Sequence, residues 1–597
     1  MRNIKTESFY ARIPIFFLAG FALLSMVVLV IRVFLVRTRL NAITGSGDDY
    51  ALAVIRHDST VIALLLSLFL LSGEIRNRTL AIPLRIAGLL LTCFYFSDLM
   101  VFNLFNLRLH WGDVLIYGKD VKAVYFQLFS MMGSGGKMLM PILLLLLGAA
   151  FLAYLLIPFR IPNRVLVAGV MISALFLIMS VTVSDVRGSH AWTVRNILET
   201  NWPNGASRDF SPEFEAGIRA GLCRQDQRTI NSSSAAKRPN IILVIFESLS
   251  VYHTGSFLEQ DSVVPRFDAI SRKGTVFEDF FSNSYNTDGG LIALLTGNPP
   301  LPAAGNGLMG TMGGFEGYFG VEDTLPANLK MIGYHTVFAT SGDLSFSRKG
   351  EWLRSIGFDG ILGHDEPYYE GTERFQFRSV SDGMLYENIV RNVLPDLEER
   401  QPYFLVIENV STHHPFIEPE GRSTRERDVF LYADRQLGRF HDALEERGFL
   451  EDGLLVVTSD HRSMTPLRRD EYDRYGEESP ARVPLTVMGL DVEAGRTIEG
   501  YFQQSDLKGS IEYLTGNARA TFDKGGNLFS EPPAPSKYVL YYSGNERDRV
   551  DVFTPDGAHA IRLRGDETAF AGNRPEDAKE ILDFVNCVRT RAGDRID

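Results

Sequence analysis

The sequence of 597 residues is poor in cysteine, with three in all. A disulfide framework or a thiolate metal cluster needs more, so neither organises this protein. Cys93 lies in an apolar stretch, and we expect Cys223 and Cys587 to be free thiols, although an oxidising compartment would let them pair. The chain also lacks an excess of basic residues. Its net charge of −12 argues against a nucleic-acid partner, which requires a concentrated positive surface.

Long apolar runs are absent after about Ser184 and frequent before it. A bilayer crossing takes roughly 20 apolar residues, and the first of the candidate runs is too long for a cleaved signal sequence. We therefore predict an α-helical membrane domain over residues 1–185 with about five transmembrane helices. The predicted spans are Ile13–Leu35, Leu52–Leu71, Leu80–Val101, Leu139–Ile157 and Val165–Val183.

Basic residues in alternate loops favour a cytoplasmic N-terminus: Arg2, Lys5, Arg12, Arg76, Arg78, Arg160 and Arg164. Five crossings then place everything after Val183 outside. We expect a multi-pass protein of the cell (inner) membrane whose larger domain is extracytoplasmic, or periplasmic. Charged residues within the spans either face the helix bundle or mark helix ends by extending to the interface. These residues are Arg56, Asp58, Arg85 and Asp98.

The rest of the chain reads as a connector (186–238), a catalytic domain (239–535) and a terminal β/α subdomain (536–597). From Asn240 onward, short β-like runs alternate with helical patterns, which is typical of an α/β domain with a mostly parallel sheet. The predicted strands are Ile241–Phe246, His335–Thr340, Tyr403–Val410, Leu454–Thr458 and Leu485–Met488. The predicted helices are Leu325–Ile332, Asp382–Glu398, Arg427–Arg447 and Pro575–Arg589.

Two apolar strands stop on metal-ligating side chains. Ile241–Phe246 is followed by Glu247, and Leu454–Thr458 is followed by Asp460 and His461. Parallel strands deliver their carboxyl ends to one crevice, so these groups are expected to meet. Carboxylates with an imidazole suit divalent manganese, magnesium or zinc. The alternative is that Glu247 only caps a following helix.

A polar loop, 282–290, precedes an apolar helix-like segment and carries Thr287. A hydroxyl at a helix N-terminus suits a nucleophile for phosphorus, because the helix end stabilises phosphate and a metal lowers the hydroxyl pKa. The alternative is a plain helix cap by Thr287 or Asp288.

Two further strand ends carry candidate substrate-binding groups. His413 and His414 follow Tyr403–Val410, and Arg348 belongs to a basic pair after His335–Thr340 that suits a phosphate. A lone histidine or arginine is more often structural. Four strand ends with complementary chemistry favour a site.

The ordered motifs Asn240–Ser250, Asn286-Thr-Asp, Ser411-Thr-His-His-Pro-Phe and Thr458-Ser-Asp-His461, behind membrane helices, resemble the lipoteichoic acid synthase and phosphoglycerol transferase family. That family belongs to the alkaline phosphatase/sulfatase superfamily. The resemblance implies an alkaline-phosphatase-like α/β fold and one divalent metal ion, manganese first, with magnesium and zinc as alternatives. It implies Glu247, Thr287, Asp460 and His461 as metal ligands, with Thr287 also the nucleophile. It implies that His413 is a catalytic residue near the substrate phosphate, which protonates the leaving group or holds the phosphate, and that Arg348 binds the phosphate.

The chain departs from the family pattern at two places. The family's histidine and tryptophan near the arginine have no counterpart within Thr340–Phe346, and the Asp-His motif continues with Arg462 rather than a small, glycine-containing run. A true sulfatase needs a Cys/Ser-x-Pro-x-Arg stretch, which this sequence lacks. Phosphoethanolamine transferases of similar layout usually hold several disulfides, whereas Cys223 and Cys587 supply at most one.

The resemblance implies transfer of a phosphoglycerol headgroup from a phospholipid donor, phosphatidylglycerol, to an extracytoplasmic glycan or polymer acceptor through a phospho-threonine intermediate. Hydrolysis by the same site, as in a phosphodiesterase or phosphatase, is the alternative within enzymes. A non-catalytic membrane sensor or scaffold is the alternative outside them. The presence of all four candidate ligands argues against a degenerate domain.

Overall fold

A computed structural model describes residues 2–75, 77–118, 148–157, 161–186, 188–201, 209–221, 223, 238–258, 261–304, 314–490, 492–516 and 526–593. The chain divides into two compact units. The first is formed from Met1–Trp111, Met131–Trp202 and Thr465–Asp473, and the second from the remainder.

The first unit contains four helices that are long and apolar enough to cross a bilayer: Phe16–Thr44, Gly47–Glu74, Arg78–Phe105 and Asn163–Thr182. The first of them begins at Arg2. They match four of the five predicted spans. The remaining prediction, Leu139–Ile157, lies about half outside the described residues, and residues 148–156 of it are helical.

Three of the four charged residues singled out in these spans lie inside the unit, whereas Arg56 is half-buried and donates to the carbonyl of Val183 at 3.0 Å. Asp58, Arg85 and Asp98 are buried. Arg85 donates to the carbonyls of Tyr154 and Leu155 at 2.9 and 3.2 Å. Of the two sequence interpretations, the one in which these charges face the bundle therefore holds for all three.

The second unit is built on an eight-stranded sheet of order β4-β3-β5-β1-β6-β7-β2-β8. Strands β3, β5, β1 and β6 are parallel neighbours, while β7 is antiparallel to both β6 and β2. The strands are β1 Ile241–Ile245, β2 Thr275–Phe281, β3 His335–Thr340, β4 Gly360–Leu362, β5 Tyr403–Glu408, β6 Leu454–Thr458, β7 Leu485–Gly489 and β8 Arg496–Gln503.

The central strands are apolar throughout because both faces of the sheet are covered. Along β1, Ile241, Leu243 and Ile245 pack into one core, and Ile242 and Val244 pack into the core on the opposite face. All five predicted strands are present within two residues of their expected ends. Strands β2 and β8 were not predicted from the sequence, because both carry charged residues at partly or fully exposed positions and so lack a continuous apolar run.

A second sheet has four antiparallel strands in the order β12-β11-β10-β9: β9 Val539–Tyr541, β10 Arg549–Thr554, β11 Gly557–Arg562 and β12 Ala569–Phe570. The other α-helices of the described residues are Trp111–Tyr117, Ile197–Asn201, Pro212–Gly221, Gly255–Leu258, Pro265–Lys273, Thr287–Thr296, Leu325–Met331, Lys349–Ser355, Asp382–Asn388, Leu394–Glu398, Glu426–Glu446, Phe449–Asp452, Arg469–Tyr475, Asp506–Leu514 and Ala578–Gly593. A π-helical turn, Ile389–Val393, joins the α-helices Asp382–Asn388 and Leu394–Glu398.

Cys223 and Cys587 form a disulfide with their Cα atoms 5.4 Å apart. The expectation that both are free thiols is therefore wrong. The two positions are separated by 364 residues, and a sequence of this kind carries no signal that brings them together. The bond ties the region after Pro212–Gly221 to the helix Ala578–Gly593.

Candidate active site

The candidate site lies at the carboxyl ends of the parallel strands. Glu247 comes two residues after the end of β1, and Asp460 and His461 follow β6, its direct neighbour in the sheet. All three side chains are buried, and one ligand atom of each lies within 4.8 Å of the others. The adjacency of two parallel strands therefore brings the predicted ligands together, as their positions in the sequence indicated.

The imidazole of His461 has a fixed orientation. Its Nδ1 lies 2.8 Å from the carbonyl oxygen of Arg462, which requires that nitrogen to carry the proton. The other ring nitrogen, Nε2, then faces Asp460 Oδ2 at 3.2 Å and Glu247 Oε1 at 3.5 Å. A second nitrogen bonded to a backbone carbonyl is the usual arrangement of a metal-ligating histidine.

The cluster has too much negative charge for its own donors. Asp460 Oδ1 accepts hydrogen bonds from the backbone N–H groups of Ser248 and His461, both at 2.9 Å. The other oxygen, Oδ2, is buried and has no hydrogen-bond partner among the described residues. Two carboxylates and an imidazole lone pair directed at one point fit a divalent cation.

The proton affinities of these groups reflect the same imbalance. Burial, followed by the charge of Glu247, raises the pKa of Asp460 to about 6. Burial opposes protonation of His461, but Asp460 and Glu247 outweigh it and raise the pKa of that imidazole to about 9. A positive charge at this point is therefore favoured strongly enough to overcome desolvation.

Thr287 is the first residue of the helix Thr287–Thr296. Its hydroxyl lies 3.3 Å from Glu247 Oε2 and 3.3 Å from His461 Nε2. The helix is capped by Asn286, whose side chain accepts from the N–H of Gly289 at 3.2 Å. The alternative that Thr287 or Asp288 serves as the cap therefore does not hold, and the Thr287 hydroxyl is left to face the cluster.

The first turn of this helix can lie close to the residues that follow β6 because it has glycine at the points of contact. A Cβ on Gly290 would overlap the carbonyl oxygen of Asp460, and one on Gly289 would overlap the side chain of Ser284. Gln504 holds the facing loop by donating to the carbonyls of Ser459 and Asp460 at 2.8 and 2.7 Å. The backbone that carries the nucleophile candidate is thus packed directly on the backbone that carries two ligand candidates.

The β1 end is held from the β5 side. Asn409 accepts from the backbone N–H of Glu247 at 2.7 Å, and Thr412 donates to the Glu247 carbonyl at 2.7 Å. Asn409 is fixed in turn by Asp382, which accepts from its amide at 2.8 Å. None of these three supporting residues was singled out from the sequence.

His413 and His414 follow β5 and are partly buried. Burial, and then the charge of His461, lower the pKa of His413 to about 4. Burial and the neighbouring His413 lower the pKa of His414 to about 4. The Nδ1 of His413 lies against the carbonyl of His414, so the neutral ring keeps an unprotonated Nε2. His413 is electrostatically linked to the metal-ligand candidates, whereas His414 is linked to Glu426.

In the basic pair after β3, the side chain of the second residue, Lys349, is more buried than that of the first, Arg348. Arg348 is half exposed and forms ion pairs with Glu351 at 2.7 Å and Glu316 at 3.3 Å. Lys349 bonds both oxygens of Glu408 at 2.7 and 2.9 Å. Burial disfavours the charged lysine, but Glu408, with smaller effects from Asp288 and Glu247, raises its pKa. Lys349 was missed because an Arg-Lys pair does not show which side chain turns inward.

Arg462, the departure after the Asp-His motif, is buried with its guanidinium 5.0 Å from the ring centre of Tyr252. Tyr252 and His253 both contact Glu426, at 2.5 and 3.1 Å. The extra positive charge is therefore balanced by a carboxylate and does not face open solvent.

Comparisons with known proteins agree with this architecture. Residues 239–516 match the sulfatase family model. A protein in the alkaline phosphatase superfamily from Vibrio parahaemolyticus has the same fold, with a TM-score of 0.51, 19% identity, and coverage of 64% of this chain and 95% of that one. For the lipoteichoic acid synthase LtaP from Listeria monocytogenes the TM-score is 0.48 and the sequence identity is 18%, and the match covers 64% of this chain and 98% of that one.

Curated relatives include phosphoglycerol transferase I from Xanthomonas campestris pv. campestris, 24% identical over 375 residues, which cover 58% of this chain and 52% of the relative. The protein of the same name from Escherichia coli is 25% identical over 282 residues, which cover 43% of this chain and 34% of the relative. The chain spans about half the length of the curated relatives from Xanthomonas and about a third of those from Escherichia coli. Residues 239–516 thus match the sulfatase family model and share the fold of a solved protein of the alkaline phosphatase superfamily, and the curated relatives of the chain include proteins named phosphoglycerol transferase I.

Proposed function

We propose that this protein is a membrane-anchored, metal-dependent phosphotransferase that moves phosphoglycerol from phosphatidylglycerol to an extracytoplasmic glycan or polymer. The observation that carries the proposal is the position of Thr287. Its hydroxyl lies 3.3 Å from both a carboxylate and an imidazole, at a helix N-terminus that another residue already caps. A hydroxyl in that environment is suited to attack phosphorus.

Glu247, Asp460 and His461, with Thr287, would hold one divalent ion, and we propose manganese ahead of magnesium and zinc. Two carboxylates and one imidazole favour a cation of this kind, and the unpartnered Asp460 Oδ2 supplies the strongest support for a bound ion. When bound, the ion would lower the pKa of the Thr287 hydroxyl and balance charge on the phosphate.

The reaction would proceed by two displacements at phosphorus. Thr287 Oγ1 loses its proton and forms a bond to phosphorus as the bond to the diacylglycerol oxygen breaks, and that oxygen takes up a proton as diacylglycerol leaves. An acceptor hydroxyl then loses its proton and attacks the phosphorus of the phospho-threonine diester, the bond to Thr287 Oγ1 breaks, and Oγ1 takes up a proton. Hydrolysis is the same second step with water as the acceptor.

We propose that His413 accepts the proton of the acceptor hydroxyl. Its ring is neutral with a free Nε2, which suits a base better than an acid. Lys349 provides the buried positive charge expected beside a phosphate, and this role was assigned to Arg348 from the sequence. Arg348 stays a predicted phosphate ligand, and His414 a predicted substrate ligand. In this arrangement Arg348 would have to exchange its two carboxylate partners for the phosphate.

The four apolar helices support a multi-pass membrane protein. With the predicted span Leu139–Ile157 as a fifth crossing and the N-terminus in the cytoplasm, the catalytic domain would lie outside the cytoplasm, at the inner membrane. The Cys223–Cys587 disulfide favours the same orientation, because such bonds persist in oxidising compartments. We retain the division into a membrane domain (1–185), connector (186–238), catalytic domain (239–535) and terminal subdomain (536–597). A site beside the membrane would keep a lipid donor within reach.

The test uses the purified full chain in detergent, manganese and phosphatidylglycerol labelled in its headgroup. We expect diacylglycerol release and a glycerol-phosphate adduct on the wild type, both absent from Thr287→Ala. Thr296→Ala is the matched control, since Thr296 lies at the other end of the same helix and bonds the Ile292 carbonyl at 2.7 Å. Bound manganese without adduct or diacylglycerol in the wild type would reject the phosphatidylglycerol donor. Free glycerol phosphate as the sole product, with glycans present, would indicate a hydrolase.

A further inference from the structure

Two tight loops meet at the rim of the candidate site, one after β3 and one before Asp382–Asn388. Each contains two consecutive residues in the left-handed region: Ser347 and Arg348 have φ of 51° and 57°, and Phe377 and Arg378 have φ of 50° and 56°. Residues other than glycine adopt this conformation only where the surroundings impose it. The loops thus hold their side chains in a defined arrangement, which is common at ligand sites.

The loops are bonded to each other through Asp343. Its N–H donates to the carbonyl of Phe377 at 3.0 Å, and its carboxylate accepts from Arg378 at 3.2 Å. A second backbone bond runs from Val380 N–H to the carbonyl of Ser341 at 3.2 Å. These contacts fix the position of one loop relative to the other.

Together the loops present two partly exposed phenyl rings, Phe346 and Phe377, which we name the aromatic shelf. Their centroids lie 4.9 Å apart at an interplanar angle of 62°. Phe377 also lies edge-on to the imidazole of His413, at 4.6 Å and 79°. The shelf therefore adjoins the side chain that we propose receives the acceptor's proton.

The charged groups around the aromatic shelf are paired, with one more carboxylate than guanidinium group. Arg348 is paired with Glu316 and Glu351, and Arg378 is paired with Asp343. Both arginine side chains are at least half exposed, so their N–H groups and the partner carboxylates are within reach of a ligand. Three carboxylates against two guanidinium groups leave no net positive charge to attract a polyanion.

We propose that the aromatic shelf binds a sugar ring of a neutral glycan acceptor, an inference that rests on the proposed transferase function. A pyranose has an apolar C–H face that packs on an aromatic ring, whose face carries partial negative charge. Its hydroxyls would bond the rim arginines and carboxylates, which offer both donors and acceptors. A ring seated on Phe377 would have a hydroxyl directed towards His413. An anionic polymer such as poly(glycerol phosphate) would meet the rim carboxylates and is disfavoured.

The proposal is tested on the full chain in detergent with a linear glucose pentasaccharide as the probe. For Phe377→Ala we expect the acceptor KM in headgroup transfer to rise about tenfold, the size of one lost aromatic partner. The maximal rate at saturating acceptor should fall much less, and Phe377→Trp should restore the KM. Arg422→Ala is the control, because Arg422 also pairs with a carboxylate and lies over a phenylalanine, but outside the shelf.

Direct binding of the pentasaccharide, measured by saturation-transfer NMR, separates this inference from the proposed function. Binding to the wild type that Phe377→Ala weakens supports the aromatic shelf even if no headgroup is transferred. Absence of an adduct on Thr287 counts only against the transferase proposal. Equal pentasaccharide binding by wild type and Phe377→Ala, an unchanged KM, or tighter binding of short poly(glycerol phosphate) than of the pentasaccharide would overturn the shelf as a glycan site.

Discussion

Two of the buried clusters of charge, one in each compact unit, are satisfied in opposite ways. In the first unit, Arg32 donates to Asp58, whose second oxygen accepts from the hydroxyl of Tyr95 at 2.7 Å. Arg108 donates to both oxygens of Asp98 at 3.0 and 2.5 Å. Every carboxylate oxygen in this cluster has a donor, and each acid has its own guanidinium.

In the second unit, Glu247 and Asp460 have one imidazole, that of His461, between them. The hydroxyls of Ser248 and Thr287 donate to Glu247, and backbone N–H groups donate to Asp460 Oδ1. The other oxygen of Asp460 is buried and makes no hydrogen bond with the described residues. This difference distinguishes buried charge that contributes to the folded structure from buried charge that is suited to binding a ligand. A self-neutral cluster contributes to folding, whereas a cluster short of positive charge has the composition of a binding site.

The largest expected effect comes from removing the unpartnered charge. Asp460→Asn should lower headgroup transfer by about a thousandfold or more, because a metal site of this kind depends on each charged ligand. The metal-free protein should be no less stable than the wild type, since the change relieves repulsion with Glu247. Turnover and the melting temperature in chelator test the two parts together. A metal-free variant that melts well below the wild type would contradict the comparison.

The reciprocal change in the first unit should cost stability. Asp58→Ala leaves Arg32 buried without its carboxylate, at a cost of about 3–5 kcal/mol. Adding Arg32→Met in the same chain should recover part of that loss. Melting in detergent of both single variants and the double variant provides the measurement. If Asp58→Ala melts like the wild type, the Arg32–Asp58 pair is not a structural element.

Metal binding should stabilise one unit by mass action. Manganese at 100 to 1,000 times its dissociation constant should add about 3–4 kcal/mol to the free energy of unfolding, seen as a higher melting temperature. Asp58→Ala should keep this response, and Asp460→Asn should lose it. The same gain in Asp460→Asn would locate the responsible ion elsewhere.

The smallest effect concerns a third, compensated cluster. Burial opposes ionisation of Glu426, but hydrogen bonds and charge from His253, with help from Tyr252 and Arg462, lower its pKa to about 2. Because the folded pKa lies below the unfolded value of about 4.5, its stabilisation is complete above pH 4.5 and is lost as the pH falls towards 2.

Since the Glu426 side chain is nearly a third exposed, we expect about 1–2 kcal/mol at pH 7. Glu426→Gln should therefore melt below the wild type at pH 7, and the gap should narrow by pH 3. Glu446→Gln, exposed at the far end of the same helix, is the control. If the difference in melting temperature between Glu426→Gln and the wild type does not depend on pH, ionisation of Glu426 is not its cause.

The sequence predicted the centre of the fold better than its edges. Strands β3 and β6 are found at the expected residues because continuous apolar runs arise only where both faces are covered. β8 was not predicted, because an edge strand with the partly exposed Arg496 and the exposed Glu499 has no such run. Parallel pairing of β1 and β6 then made the convergence of Glu247, Asp460 and His461 predictable.

Details that depend on one backbone angle or on distant chain segments were not predictable. Arg348 and Lys349 are adjacent basic residues, and only the left-handed conformation at Arg348 determines that Lys349 turns inward. The Cys223–Cys587 bond joins positions with no local relation. The roles assigned to Thr287, His413 and the other site residues stay predictions until the adduct is sought.

The contact between Gly290 and the Asp460 carbonyl has a consequence for ion choice. With no side chain between them, the helix that starts at Thr287 and the loop that carries Asp460 and His461 form one block of fixed spacing. If the proposed ion binds here, such a block would favour a small radius, because calcium–oxygen distances are about 2.3–2.6 Å and magnesium–oxygen distances about 2.0–2.1 Å, and calcium would require the two backbone segments to separate. Selectivity against calcium would then be set by two hydrogen atoms on a glycine.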